Sequence, residues 1–282
     1  MISVVILTYN EELNISRCLD SVVWCNDVLV VDSFSRDGTL EILRNRKVRV
    51  LQRDFDNFAG QRNFALELGG LKHDWVFHLD ADEVITAELR DELHRRIAGS
   101  EHQAYRVASK LMLNGRWLRR AGLYPWYQVR FGRKDGLRFK QVGHGQREDM
   151  LQGNIGTLSN ALLHYPFEKG LHDWIEKHNR YSTAEANANI SRDKGALVWR
   201  NIASTDRELR RRALKNLFAL LPFRPLLRFF YMFFIRRGFL DGAAGVYYCR
   251  LLTWYERMIV LKERELRMRQ RKLQNNPHPD AH

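Results

Sequence analysis

The sequence predicts an α/β chain, a mostly parallel sheet with helices on both faces, followed by a helical C-terminal region. Three observations predict it. Short β-branched runs alternate with stretches of helical spacing four times between residues 2 and 98, the rhythm of a sheet built from strand–helix units. The polar residues of the first, second and fourth strands fall at their carboxyl ends, where such sheets bind ligands. The formal net charge of +13 is gathered in the last third: residues 1–191 hold 26 Lys and Arg against 25 Asp and Glu, residues 192–272 hold 20 against 7. A near-neutral body with a basic, aromatic-rich tail suggests a catalytic domain joined to something that meets an anionic surface.

The elements follow in order. Residues 2–8 (ISVVILT) are apolar and β-branched and read as a buried strand. Residues 11–24 place Leu13, Cys18, Leu19, Val22 and Val23 at helical spacing, with Asn10 as N-cap. Strands at 27–32, 48–53 and 74–79 and helices at 38–46, 58–69 and 86–98 complete the first part. Strands are expected at 103–113, 126–131 and 157–164, with a glycine-containing loop at 141–149. Helices are expected at 171–193, 206–221, 225–237 and 241–272. The domain reading is a catalytic domain over 1–205, a basic helical region over 206–272 and a disordered tail over 273–282. A chain 45% hydrophobic and 28% charged is globular rather than disordered. Cys18, Cys25 and Cys249 are too few for a disulfide framework, which suggests a reducing compartment. Residues 1–9 have neither the basic start nor the cleavage site of a secretory signal.

Three strand ends carry the chemistry: Thr8-Tyr9-Asn10-Glu11, Asp32 and Asp80-Ala81-Asp82-Glu83. Three carboxylates in four residues repel one another unless a cation or hydrogen-bond donors offset them. A hard divalent ion shared with diphosphate oxygens suits such a turn; the plainer reading is a solvated acidic turn that caps helix 86–98. Asp32 is placed to accept from a base or ribose, whereas Asp37-Gly38-Thr39 reads as a turn and helix cap. Arg62, in Gly60-Gln61-Arg62-Asn63, is a candidate for a diphosphate or a nucleobase carbonyl, or else a surface arginine of the third helix.

In order and spacing these motifs resemble family 2 glycosyltransferases, inverting enzymes with the GT-A fold. Lys177-His178-Asn179-Arg180-Tyr181-Ser182 and Gly238-Phe239-Leu240-Asp241-Gly242 are similar to a bacterial subgroup of lipopolysaccharide-core β-1,4-glucosyltransferases. The resemblance implies a nucleotide-diphosphate sugar donor, a UDP-hexose, and a lipid-linked or polysaccharide acceptor in cell-envelope glycan synthesis. It assigns Thr8, Tyr9, Asn10, Glu11, Asp32, Arg62, Asp80 and Ala81 to the nucleotide sugar, and Asp82 with Asp80 to Mg²⁺ or Mn²⁺. An inverting displacement needs a general base on the acceptor side. Glu148 is the first candidate, with Asp149 and His144 behind it. The subgroup's His-Glu pair is replaced here by His144-Gly145, and Ser33 follows Asp32 where many family members have a second acid.

Residues 217–235 (LFALLPFRPLLRFFYMFFI) are very apolar, yet Pro222, Pro225, Arg224 and Arg228 argue against a clean membrane span. An interfacial helix pair with arginines at lipid headgroups fits better, and points to a peripheral enzyme on the cytoplasmic face of the bacterial inner membrane. A helix packed on the catalytic domain, or a dimer interface, is the other reading, and homo-oligomerisation is left open. The basic stretch 257–272 carries no recognised nucleic-acid module, so a nucleic-acid partner is not expected. Two further function classes share the donor site: a sugar transferase acting on polyprenyl phosphate, and a non-catalytic sugar-nucleotide-binding protein.

Overall fold

The computed structural model describes residues 1–99, 102–142, 145–149, 154–191, 205, 209–210, 213 and 223–275. His144, nearly all of the helix expected at 206–221, and residues 276–282 of the expected tail lie outside the described residues, whereas 273–275 continue a helix. The chain divides into two compact units, Met1–Leu171 and His172–His282, a division earlier than the boundary at 205 suggested by the sequence.

In the first unit, β1 (Ile2–Thr8), β2 (Val28–Asp32), β3 (Arg49–Gln52) and β4 (Trp75–Asp80) are parallel neighbours. They alternate with α1 (Ile15–Asp20), α2 (Thr39–Asn45) and α3 (Phe58–Leu68). The short β5 (Glu83–Val84) leads to α4 (Ala87–Ala98). Then come β6 (Ala104–Leu113), β7 (Arg116–Trp117), β8 (Tyr127–Arg133), the hairpin β9 (Phe139–Val142) and β10 (Gly145–Glu148), and β11 (Ile155–His164). The nine-stranded sheet has the order β3-β2-β1-β4-β8-β6-β11-β5, with β7 paired to β6. β8 is antiparallel to both β4 and β6, and β6 is parallel to β11, so β3, β2, β1, β4, β6 and β11 all point the same way. The sheet is therefore mostly parallel, as the sequence predicts.

Two cores lie on its two faces, and the period-2 pattern of β1 feeds both. Val4 and Ile6 pack with Ile15, Leu19, Leu43, Leu89 and Leu93 of α1, α2 and α4. Val5 and Leu7 pack with Ala59, Ala65 and Leu66 of α3. Side-chain caps start two of these helices: Asn57 accepts from Gly60 N at 2.8 Å, and Thr86 from Leu89 N at 3.2 Å. Two local expectations are corrected. α1 begins after Asn14, and Asn10, at φ 53°, instead accepts from the Arg36 amide at 2.8 Å. Residues 139–142 and 145–148, read in part as a loop, pair as the antiparallel strands β9 and β10, with Val142 opposite Gly145 and Phe139 opposite Glu148.

The second unit holds α5 (Gly170–Ser191, from His172 onward), α6 (Arg224–Phe230), a π-helical turn (Tyr231–Ile235), a 3₁₀ turn (Gly238–Asp241) and α7 (Gly242–Asn275). Both sequence motifs of the subgroup have packing roles here. Lys262 Nζ donates to the Asn179 carbonyl at 2.5 Å, Ser182 Oγ at 2.8 Å and Thr183 Oγ1 at 2.7 Å, which fastens α7 to α5. Gly242, at φ 72°, turns the chain into α7, and a Cβ on Gly245 would collide with the Gly238 carbonyl. Arg224, expected at lipid headgroups, is buried instead: its guanidinium bonds Glu256 Oε1 at 2.6 Å and Glu263 Oε1 at 3.0 Å. Among the described residues no helix is long and apolar enough to cross a membrane.

Candidate active site

Pairing of the parallel strands puts the three polar strand ends side by side. Thr8 lies opposite Asp32, and Leu7 opposite Asp80. Beyond this edge the Asp80–Glu83 turn is held by arginines from two other elements. Arg62 Nη2, from α3, reaches Asp80 Oδ1 at 2.6 Å, and Arg130 Nη2, from β8, reaches Asp80 Oδ2 at 2.6 Å and Glu83 Oε1 at 3.0 Å. These charge-assisted bonds offset the repulsion that the acidic triplet would otherwise carry. Glu83 also accepts the Asp80 amide at 2.9 Å. Burial, with Asp80 and Asp82 beside it, nonetheless pushes the Glu83 carboxyl well above its ordinary range.

Ala81 points inward with its methyl in the core, which sets Asp80 and Asp82 apart on either side of it. Asp82 Oδ2 faces His164 Nε2 at 3.2 Å, and Tyr165 N donates to the Asp82 carbonyl at 2.8 Å. The segment 164–169 then runs on to Lys169, whose Nζ meets Glu11 Oε1 at 2.9 Å and the Asn10 carbonyl at 3.2 Å. Arg17 Cζ lies 3.7 Å from the Tyr165 ring centroid, along the same segment. Burial, then Asp82, raise the Glu11 carboxyl, and Lys169 opposes them.

The loops around this edge are cross-tied. Asn10 N donates to Ser35 Oγ and Glu11 N to Thr39 Oγ1, each at 2.8 Å, while Tyr9 is exposed. Asp37 accepts from the Thr39 amide at 3.1 Å, the local role its motif suggests. Asp32 is fully buried, and its carboxylate accepts from Ser35 Oγ at 2.5 Å, Ser35 N at 3.0 Å and Gln52 Nε2 at 3.1 Å, which ties the 33–35 loop to the end of β2.

Several buried polar atoms here have no partner: Arg62 Nε and Nη1, Arg130 Nη1, Thr8 Oγ1 and Gln61 Oε1. Buried donors are nearly always bonded, so unpartnered guanidinium nitrogens at one edge ask for an acceptor. His78, two residues before Asp80, is buried with neither ring nitrogen bonded, and burial, then Arg62, push its pKa well below the usual histidine value. Among the described residues no three His, Cys, Asp or Glu side chains converge as a ready cation site. The donor set still suits a hard ion that takes one or two protein groups and completes its shell from diphosphate and water. Asp82 is the better placed acid, because both Asp80 oxygens are engaged by arginines.

The β9–β10 hairpin is fixed to α3 through Asn63, which donates to the Phe139 carbonyl at 2.9 Å and accepts the Phe139 amide at 3.0 Å. The Phe139 ring lies edge-on to His78, centroids 5.0 Å apart, and Arg62 Cζ is 5.8 Å from its centroid. Glu148, paired across from Phe139, is thus carried on the hairpin that covers the Arg62 region. Asp149 is exposed and bonded to Lys140 Nζ at 2.6 Å.

Arg130, His164 and Lys169 are absent from the sequence-based set. Two of them left a trace. His164 ends a strand that the sequence does predict, and the rule applied to the other strand ends covers it too. Arg130 sits between Val129 and Phe131 in an otherwise apolar strand interior. Lys169 left none, since its partner Glu11 is far away in sequence.

A family model, Glycosyl transferase family 2, matches residues 3–144. A relative in Rhizobium meliloti, the lipopolysaccharide core biosynthesis glycosyltransferase LpsC, is 30% identical over 68% of this chain and 73% of its own. An uncharacterized glycosyltransferase of Rickettsia bellii is 28% identical over 98% of this chain and 88% of its own. A solved structure, S. aureus TarS 1–349, is 18% identical with a TM-score of 0.44, 91% of each chain being covered. A family match across half the sequence, together with a relative 30% identical over 68% of it, places this chain in glycosyl transferase family 2, and it is a glycosyltransferase.

Proposed function

We propose that the chain moves a hexose, with inversion, from a nucleotide-diphosphate sugar of the UDP class to a lipid-linked or polysaccharide acceptor of the cell envelope. The observation that carries this reading is the pair of buried arginines, Arg62 and Arg130, which clamp Asp80 yet leave guanidinium N–H groups unpartnered at the strand ends. Such donors suit a diphosphate, whose oxygens accept and never donate. The acceptor class is supported by the Rhizobium meliloti relative, named for lipopolysaccharide core biosynthesis.

In the transfer, an acceptor hydroxyl forms its bond to the anomeric carbon as the bond from that carbon to the diphosphate breaks on the opposite face. Glu148 takes the hydroxyl proton. Thr8, Asn10 and Glu11 border the donor, and Arg62, Arg130 and Lys169 meet the negative charge that builds on the leaving group. Asp82, with His164 beside it, would hold Mg²⁺ or Mn²⁺, which when bound supplies Lewis-acid neutralisation of the diphosphate.

Two variants test the assignment, with turnover of UDP-hexoses read by product mass and donor affinity by calorimetry. Asp82→Asn should lower turnover by about 10²-fold or more while Tm stays unchanged. Glu148→Gln should lower turnover by about 10²–10⁴-fold with donor affinity nearly intact. Full turnover of Asp82→Asn, or of the wild type in EDTA, would overturn the metal role. Collapse of donor binding in Glu148→Gln would move Glu148 to the donor side and make Asp149 the candidate base.

A further inference from the structure

A helix facing water places its apolar residues inward and its charges outward. α6 and the π-helical turn after it bury Met232 but leave most of their other large apolar residues exposed. Arg224 is 5% exposed and enclosed by Glu256 and Glu263, whereas Phe223, Leu226, Phe230 and Phe234, three and four residues apart, lie open to solvent. Phe223 keeps 73% of its surface, Leu226 65% and Ile235 63%. The π-helical turn, marked by the Arg236 amide bonded to the Tyr231 carbonyl at 2.8 Å, adds a residue to the repeat and keeps Phe234 and Ile235 exposed. Phe239 and Leu240 of the 3₁₀ turn extend the exposed set. Neighbouring rings support one another: Phe230 and Phe234 have centroids 4.8 Å apart, Phe233 and Phe234 4.9 Å, and Phe233 and Phe239 5.5 Å. Apolar residues exposed singly are ordinary, but a run of this kind marks a surface that something covers.

Charge decides what covers it. Between Phe223 and Leu240 there is no acidic residue, while Arg228, Arg236 and Arg237 lie in the same stretch. The first acid after it, Asp241, is buried. An apolar face with basic residues among its aromatics and no carboxylate complements a bilayer leaflet of anionic headgroups over acyl chains. None of the described helices is long and apolar enough to cross a membrane.

We propose that residues 223–240 form a docking surface for an anionic phospholipid leaflet, with the phenylalanines in the acyl boundary and Arg237 at the headgroups. The inference goes beyond the transfer reaction and does not depend on it.

The test is co-sedimentation of the full chain with vesicles of phosphatidylcholine alone and of phosphatidylcholine mixed with phosphatidylglycerol. Wild type should bind the anionic vesicles. Raising salt from 0.1 to 1 M, which shortens the Debye length from ~10 to ~3 Å, should weaken that binding without abolishing it. Phe230→Ser with Phe234→Ser should reduce partitioning by about tenfold or more on either lipid. Arg237→Gln should reduce it roughly fivefold on anionic vesicles and leave neutral ones unchanged. Should the double variant melt early, Leu226→Ser, at a more open position, should give the same loss in a folded protein. Amides of 224–235 should also gain hydrogen-exchange protection when anionic vesicles are added. Failure of the wild type to bind either vesicle would overturn the proposal, as would wild-type binding by a folded Phe230→Ser, Phe234→Ser protein. A dimer that the double variant dissociates, without vesicle binding, would assign the face to a second copy of the chain instead. Turnover is no part of the readout, so failure here and failure of the transferase reading are separate results.

Discussion

Glu92, on α4, is a heavily bonded acid away from the strand ends. It is 4% exposed and accepts from the Ser159 amide at 2.9 Å and from the Asn160 amide at 2.8 Å and side chain at 2.9 Å. These residues lie where β11 slips register between Thr157 and Ala161, so the carboxylate satisfies amides that the irregular ladder leaves over. Burial pushes its pKa up, but the Ser159 and Asn160 donors outweigh burial and hold the carboxyl below its ordinary value. The unfolded chain therefore takes up this proton first. The stability Glu92 contributes is present above the unfolded pKa and is lost as pH falls through the folded value. Glu92→Gln should cost about 2–3 kcal/mol at neutral pH and remove part of the acid limb below roughly pH 4.5. Urea midpoints across a pH series check this, and an acid limb as steep as wild type would refute it. Legibility at this scale divides by sequence distance. Acids at strand ends are visible as local clusters, but their cationic partners are not: Arg130 bonds an acid 50 positions away and Lys169 a carbonyl 159 away.

At the scale of elements, two bonds from one side chain, Asn63, tie the β9–β10 hairpin to α3, beside the burial of Phe139 in the core that α3 also lines. Asn63→Ala removes both and leaves the Phe139 amide and carbonyl to water. The hairpin carries Glu148, so the expected result is a fall in turnover of about tenfold with donor affinity within about twofold, the mark of a positioning defect. Equal losses in both would place the hairpin on the donor instead. The parallel strands were legible because β-branched runs buried on both faces leave an unbroken apolar pattern. The hairpin was not, because Lys140, Gln141, Gln146 and Arg147 give neither strand an apolar face, and strand pairing there comes from the backbone. α1 is shorter than its pattern because the chain turns at Ser21–Trp24, where Ser21 N bonds the Cys18 carbonyl at 3.1 Å. The apolar residues Val22 and Val23 fall within that turn and not in the helix.

For the molecule as a whole, the charge count foresaw a basic C-terminal part but not how its arginines divide. Arg224 reads as one more cation in a basic run, yet its acid partners Glu256 and Glu263 lie 32 and 39 positions on, along α7. Arg224→Ala would leave two facing carboxylates buried and should cost about 3–5 kcal/mol of the second unit's stability. Arg224→Met with Glu256→Gln and Glu263→Gln, which removes every charge at once, should recover much of it. Chemical denaturation followed by hydrogen exchange of the α7 amides reports on this unit, and an unchanged midpoint for Arg224→Ala would refute the assignment. The sheet order has a consequence in time. Among the described residues β11 is the last strand to be synthesised, yet it lies inside the sheet, between β6 and β5. Until it emerges from the ribosome, β6 offers a bare edge able to pair with a foreign strand, and Asp82 waits without its imidazole neighbour. A nascent chain that already has every acid of the site is therefore at its most aggregation-prone, and not yet competent, in the interval before residue 164 is made.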